Sequence, residues 1–168
     1  MVKLHLGCGR RNFGKDWDHI DKADFSHIKS NDVKVLPYED KSVDVIYACH
    51  LIAYFDREEI IPILKEWKRV LRPGGTLRIS TPDFGHLIKN YKATMNVSEI
   101  LGPMYGKMDG VYHKTIYDHF SLFELLLSIG FKDIKKYNRW RTEHARFDDH
   151  SAAAIDGKLI SLNLQCYA

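Results

Sequence analysis

Apolar positions along the chain fall into short runs separated by glycine, proline and charge, and the runs differ in period. Val2 to Leu6 is a brief apolar run halted by Gly7 and Gly9, the form of a strand entering a tight turn. A second strand is expected to end at Trp17 to Asp21. Too little chain lies between the two for a full crossover helix, which takes about a dozen residues. The first crossover helix is therefore expected to be short or missing. Asp32 to Pro37 predicts a third strand at an edge. Ser42 to His50 is nearly continuous in apolar residues, as strands buried on both faces of a parallel sheet are.

From Asp56 to Leu71 the period lengthens. Ile60, Leu64, Trp67 and Leu71 recur at helical spacing, Asp56 and Glu59 are placed as a capping box, and Pro62 marks a kink or the true first turn. Arg72 to Gly75 is a stop-and-turn signal and Thr76 to Thr81 alternates as a strand. Phe84 to Thr94 should be helical. Residues 95–118 contain glycines and Pro103 without a steady period, which predicts an irregular insertion or cap. Ser121 to Phe131 predicts a helix ended by Gly130, and Lys132 to Tyr137 a strand. Lys158 to Ala168 alternates as a closing strand behind the turn at Asp156 and Gly157. Strands alternating with helices in this order predict an α/β fold, and residues 1–168 are expected to form one domain.

Composition changes this picture little. Hydrophobic residues make up 45% and charged residues 28% of 168 residues, an ordinary globular balance. There is no apolar run of membrane-spanning length and no signal-peptide pattern at the start, so a cytoplasmic location without membrane contact is expected. Cys8, Cys49 and Cys166 are odd in number and far apart, which suggests neither a disulfide framework nor a zinc site. A formal charge of +3, with clustering only at Lys132 to Arg141, makes a nucleic-acid partner unexpected.

The glycine turn carries the first chemistry. Gly7 and Gly9 leave backbone N–H groups pointing outward and let a ligand approach closely. A dinucleotide fingerprint would need a third glycine where Asn12 stands, and a full helix behind it. Asp21, at the end of the second strand, is placed to accept hydrogen bonds from ribose hydroxyls. Asp32, beside the expected edge strand, is placed to accept from an adenine amino group.

Taken together, "LHLGCG", Asp21, "DVKVLPYEDKSVDVIYACH" and "EWKRVLRPGGTLRISTPD" resemble the class I S-adenosylmethionine-dependent methyltransferases, in a small, trimmed branch. The similarity runs through "YHKTIYDHFSLFELLLSIGF" to "DGKLISLNLQ". It implies a single Rossmann-like methyltransferase domain, with a mostly parallel sheet of about seven strands and an antiparallel C-terminal strand. The cofactor S-adenosylmethionine would lie across the C-terminal ends of the first strands. The resemblance puts Leu6, Gly7, Cys8 and Gly9 beside its methionine part, Asp21 on ribose, Asp32 and Val33 at adenine, and His50 near the sulfonium. Three features depart from the pattern. His5 replaces a usual acidic or amide residue, Ala53 and Tyr54 stand where relatives often have glutamate and histidine, and the segment after Gly9 is short.

Methyl transfer is an in-line displacement, so the protein must align the acceptor and accept a proton from it. His50, ending a central strand, is the first candidate base or acceptor-binding group, and His113 is a second, reaching in from the cap. Tyr54, Asp83 and Tyr112 join His113 as candidates for the acceptor pocket. Asn138 to Ala152 holds His144, Asp148, Asp149 and His150, but without metal-ligand spacing, so no metal is expected. This basic, aromatic stretch reads as a solvated rim. The expected function is methyl transfer to a small-molecule or glycan acceptor. Alternatives are a binding module that has lost transfer, and a nucleic-acid methyltransferase.

Overall fold

The protein is represented by a computed structural model, which describes residues 1–106 and 110–168. Its centre is a seven-stranded sheet built from β1 (Lys3–Leu6), β2 (Asp18–Ile20), β3 (Ile28–Ser30), β4 (Val43–Cys49), β5 (Leu71–Pro82), β6 (Lys132–Lys136) and β9 (Ser161–Tyr167). The spatial order is β3-β2-β1-β4-β5-β9-β6. β1 pairs in parallel with β2 and β4, and β4 with β5, while β9 runs antiparallel to both β5 and β6. The chain therefore has the mostly parallel α/β fold with an antiparallel C-terminal strand that its sequence predicts.

One face of the sheet is covered by α1 (Ile60–Val70) and α4 (His119–Ile129). Trp67 and Leu64 of α1 and Leu122 and Leu126 of α4 meet Leu4, Leu6, Ile46, Ile79 and Leu164 in the main core. The first turn of α1 is set by its sequence: Asp56 Oδ1 accepts from the Glu59 backbone N–H at 2.8 Å, and Glu59 Oε2 accepts from the Asp56 N–H at 3.2 Å. Pro62 falls early in this helix, where a missing N–H is tolerated. Gly130 (φ +91°) caps α4 in the left-handed region.

No helix joins β1 to β2. The other face is covered instead by turns and by the segment that follows β6. Phe13 stacks on His5 (4.0 Å) and on Phe147 (4.3 Å), and His144 stacks on Tyr47 (4.0 Å). Asn12, at the position of the missing third glycine, accepts from the Gly14 N–H at 2.7 Å and bends the chain where a helix would otherwise begin.

Several elements differ from expectation. The third strand is Ile28–Ser30, not Asp32 to Pro37. The backbone of residues 32–37 is engaged by side chains: Asp32 accepts from Lys34 N–H, Glu66 from Leu36 N–H, and the Val33 carbonyl from the Trp67 indole. Within residues 95–118, α3 (Ser98–Tyr105) is helical despite Pro103 and follows α2 (Phe84–Thr94). The closing run is divided. β7 (Ala154–Ile155) and β8 (Lys158–Leu159) form a small hairpin, and β9 begins after Ile160. Asn138 to Ala152 is not a solvated rim, because its own Arg139, His144, Asp149 and Ser151 are buried. Among the described residues no helix is long and apolar enough to cross a membrane.

Candidate active site

The C-terminal ends of β1, β2 and β4 open into a cleft of about 500 Å³. Gly7, Asp21, Asp32, Val33, His50 and Tyr54 all line it, so residues spread over the first third of the sequence converge there. Gly7 has φ +65°, and its N–H donates to the Ile20 carbonyl at 2.8 Å, which ties the turn to β2. A Cβ on Gly7 would lie 2.8 Å from Leu51 Cδ1, so the glycine lets Leu51 form the adjoining wall.

Asp21 organises the turn. Its Oδ2 accepts from Gly9 N–H at 2.7 Å and its Oδ1 from Ala23 N–H at 2.8 Å. A carboxylate has about four lone-pair sites, so two remain for ligand hydroxyls. Gly9 acts on the cleft through Asp21 without lining it, and the space above its Cα is open for 4 Å. Leu6 is wholly buried. Cys8 is buried as well, and burial followed by the Asp21 charge pushes its thiol pKa up to about 12, so it stays protonated.

His50 follows β4 with φ +51°, an uncommon backbone conformation for a residue with a side chain. Its N–H donates to the Ser80 carbonyl at 2.8 Å and its Nε2 lies 2.9 Å from Ser161 Oγ. Burial, reinforced by His150 and His113, lowers its pKa to about 3, so the ring is neutral at physiological pH.

The remaining candidates are distributed unevenly. His113 packs edge-on against Tyr54 at 4.7 Å, and its Nδ1 donates to the Pro103 carbonyl at 3.0 Å. That leaves Nε2 as the lone-pair nitrogen, and burial lowers the pKa. Asp83 does not line the cleft. It caps α2, accepting from Gly85 N–H at 3.0 Å. Tyr112 is exposed, whereas its neighbours Val111 and Lys114 line the wall. Ala53 is buried, and its carbonyl accepts from Lys114 and Thr115 N–H at 2.7 and 3.1 Å. His5 lies in the aromatic cluster on the other face of the sheet.

Sequence reading missed part of the wall: Lys22, Asn31, Lys34, Leu51, Phe55, Glu59, Val111 and Lys114. Adjacency to Asp21, Asp32 and His50 was the available signal for Lys22, Asn31 and Leu51. The others depend on packing between distant segments. At the rim, Glu59 bridges Lys34 (3.1 Å) and Lys114 (2.7 Å), joining three segments. The Lys114 hydrogen bond, with others, holds the Glu59 carboxyl at about 2. Among the described residues no cluster of histidine, cysteine and carboxylate side chains is suited to a metal ion.

The residues present fit a nucleoside carrying an amino-acid end: open space over a glycine turn, a carboxylate with spare lone pairs, and apolar walls at Val33, Leu51 and Phe55. Comparison with known proteins agrees. Residues 10–79 match the methyltransferase-domain family model. No curated protein matches the sequence. A S-adenosylmethionine-dependent methyltransferase from Archaeoglobus fulgidus is similar in structure, with a TM-score of 0.65 at 14% identity over 99% of this chain and 86% of that one. A possible histamine N-methyltransferase from Thermotoga maritima gives 0.60 at 16% identity, over 98% and 81%. A Methanosarcina mazei S-adenosylmethionine-dependent methyltransferase gives 0.58 at 16%, over 99% and 91%. Residues 10–79 thus carry a methyltransferase-domain match and the whole chain shares the fold of S-adenosylmethionine-dependent methyltransferases, which together support the class I superfamily and S-adenosylmethionine as the cofactor.

Proposed function

We propose that the protein methylates a small-molecule or glycan acceptor held between His50, Tyr54 and the segment carrying His113. The observation that carries this reading is the convergence of His50 and Tyr54 with Gly7 and Asp21 on one cleft, whose wall also includes Val111 and Lys114. A partly enclosed space of this size suits small ligands better than a polymer lying in an open groove. The similar Thermotoga protein, a possible histamine N-methyltransferase, is a precedent for a small acceptor in this fold.

S-adenosylmethionine supplies a methyl group on a positively charged sulfur, a bond already activated for displacement. The chain's part is to hold and orient. Asp21 anchors ribose hydroxyls, Asp32 and Val33 border the base, and the Gly7 turn leaves room for the amino-acid end. His50, neutral and of low basicity, accepts a hydrogen bond from the acceptor's N–H or O–H and so directs its lone pair to the methyl carbon. His113 offers a second acceptor nitrogen behind Tyr54. Of the basic cluster, Arg139 is turned inward to Asp149, while Lys132, Lys135, Lys136 and Arg141 are exposed.

Calorimetry with S-adenosylmethionine and S-adenosylhomocysteine tests the first half of this reading. Binding of both is expected, and weakened binding in Asp21→Ala. No binding at millimolar ligand would overturn it. Transfer of labelled methyl to pooled amines, phenols and sugars tests the second half. Labelling of RNA with none of these small acceptors labelled would reject the acceptor class.

A further inference from the structure

Ser161 is the first residue of β9, opposite Pro82 at the end of β5, and it is buried. Two hydrogen bonds meet at its hydroxyl. Ser161 Oγ lies 2.6 Å from the carbonyl oxygen of His150 and 2.9 Å from His50 Nε2. A carbonyl oxygen only accepts, so the single serine proton is committed to His150. The serine oxygen must then accept from His50, and the His50 proton must sit on Nε2. No hydrogen bond engages His50 Nδ1 among the described residues.

The carbonyl that fixes this direction belongs to the segment covering the second face of the sheet. His150 stands in a short 3-10 turn begun by Asp149, whose carboxylate accepts from Ser151 N–H at 2.8 Å. The His150 ring lies 5.3 Å from the His50 ring, and Arg11, just past the glycine turn, donates to the neighbouring Asp148 carbonyl at 2.9 Å. The Arg11 side chain from beside the glycine turn, backbone carbonyls of the covering segment and the Ser161 hydroxyl of β9 thus gather around one imidazole.

We propose that Ser161 is a positioning residue for methyl transfer: by donating to the His150 carbonyl it obliges His50 to carry its proton on Nε2, leaving the Nδ1 lone pair at the cleft to receive the acceptor's N–H or O–H. This rests on the reading of the cleft as the methyl-transfer site. It adds a selectivity, because a lone pair on Nδ1 favours acceptors that bring a proton and disfavours those that present only lone pairs. The opposite tautomer would present a donor and reverse the preference.

The tautomer is directly measurable. In protein labelled with nitrogen-15 histidine, long-range nitrogen–proton correlation spectra distinguish protonated from unprotonated ring nitrogens. Nine histidines are present, and the His50 signals are identified by their loss in His50→Gln. At neutral pH His50 is expected with Nε2 protonated and Nδ1 bare. Ser161→Ala should convert it to a mixture of tautomers, and Ser161→Thr, which restores a hydroxyl, should return it to the wild-type form. An Nδ1–H tautomer in the wild type, or an unchanged tautomer in Ser161→Ala, overturns the proposal. S-adenosylhomocysteine binding, measured on the same wild-type sample, separates the two levels. Absent binding removes the functional reading and this inference with it, whereas binding with the wrong tautomer overturns this inference alone.

Discussion

Asp21 uses one carboxylate for two tasks, holding the glycine turn and forming the cleft wall. Its oxygens accept separately from Gly9 and Ala23 N–H, so replacing either oxygen with a donor leaves one amide facing another. Asp21→Asn therefore loses an internal hydrogen bond as well as a ligand contact, at about 1–3 kcal/mol for an unpaired partly buried donor. The expected result is a fall in S-adenosylhomocysteine affinity of tenfold or more by calorimetry. Unchanged affinity would mean that the nucleoside lies elsewhere. Gly7→Ala is a stricter test of the turn. Its positive φ and the 2.8 Å approach to Leu51 Cδ1 combine strain with displacement of a wall residue. Gly9→Ala has the strained φ without the collision, so thermal unfolding should show the smaller loss at Gly9. Gly7, Asp21 and His50 were legible in the sequence because each ends a recognisable strand, and strand ends in a parallel sheet share one edge. Lys34, Glu59 and Lys114 were not, since their ion pairs join segments 25 and 55 residues apart.

The segment from Asn138 to Ala153 does the work of a missing helix, and does so with charge. Arg139 donates from Nε to Ser151 Oγ (2.8 Å) and from Nη2 to the Phe147 carbonyl (2.7 Å) and Asp149 (3.3 Å). Asp149 in turn accepts the Tyr47 hydroxyl of β4 at 2.6 Å. Removing one partner of a buried pair leaves an uncompensated charge, at a typical cost of about 3–5 kcal/mol. Urea denaturation of Asp149→Ala should show a loss of that order, and the Arg139→Met/Asp149→Ala double variant should be more stable than Asp149→Ala alone. Additive losses would mean that the pair is not coupled. Sequence patterning misread this segment because arginine, histidine and aspartate usually mark surface, and their burial depends on partners far away in the chain. The same cause moved the third strand. Residues 32–37 look strand-like in composition, but Glu66 and Trp67 of α1 engage their backbone, and the sheet takes Ile28–Ser30 instead. Elements whose hydrogen bonds are local, such as α2 and the capped start of α1, were found where their spacing put them.

At the scale of the whole molecule, several neutral histidines inside the fold give its stability a definite pH dependence. His144 is fully buried against Tyr47, and neither ring nitrogen has a hydrogen-bond partner among the described residues. Burial, with Arg78 next in importance, lowers its pKa from 6.5 to about 4. His5, buried beside Phe13, is lowered chiefly by burial and then by His19. The unfolded chain binds protons at these sites near pH 6.5, and the folded chain does not until the pH is much lower. Stability is therefore fully present above the unfolded value and is lost as the pH falls below about 6.5, down through the folded values. A depression of about two and a half units at His144 corresponds to about 3 kcal/mol once both states are protonated. Asp149, lowered by its Ser151 and Tyr47 hydrogen bonds against the opposing effect of burial, adds a loss of the same sign at lower pH. Urea midpoints measured from pH 7.5 to 4.5 should fall steadily across this range. His144→Phe keeps a ring on Tyr47 and removes the titrating group, so its decline should be shallower and its advantage over the wild type greatest at the acid end. A parallel decline in both proteins would show that His144 does not contribute and would move the acid sensitivity to the other buried groups.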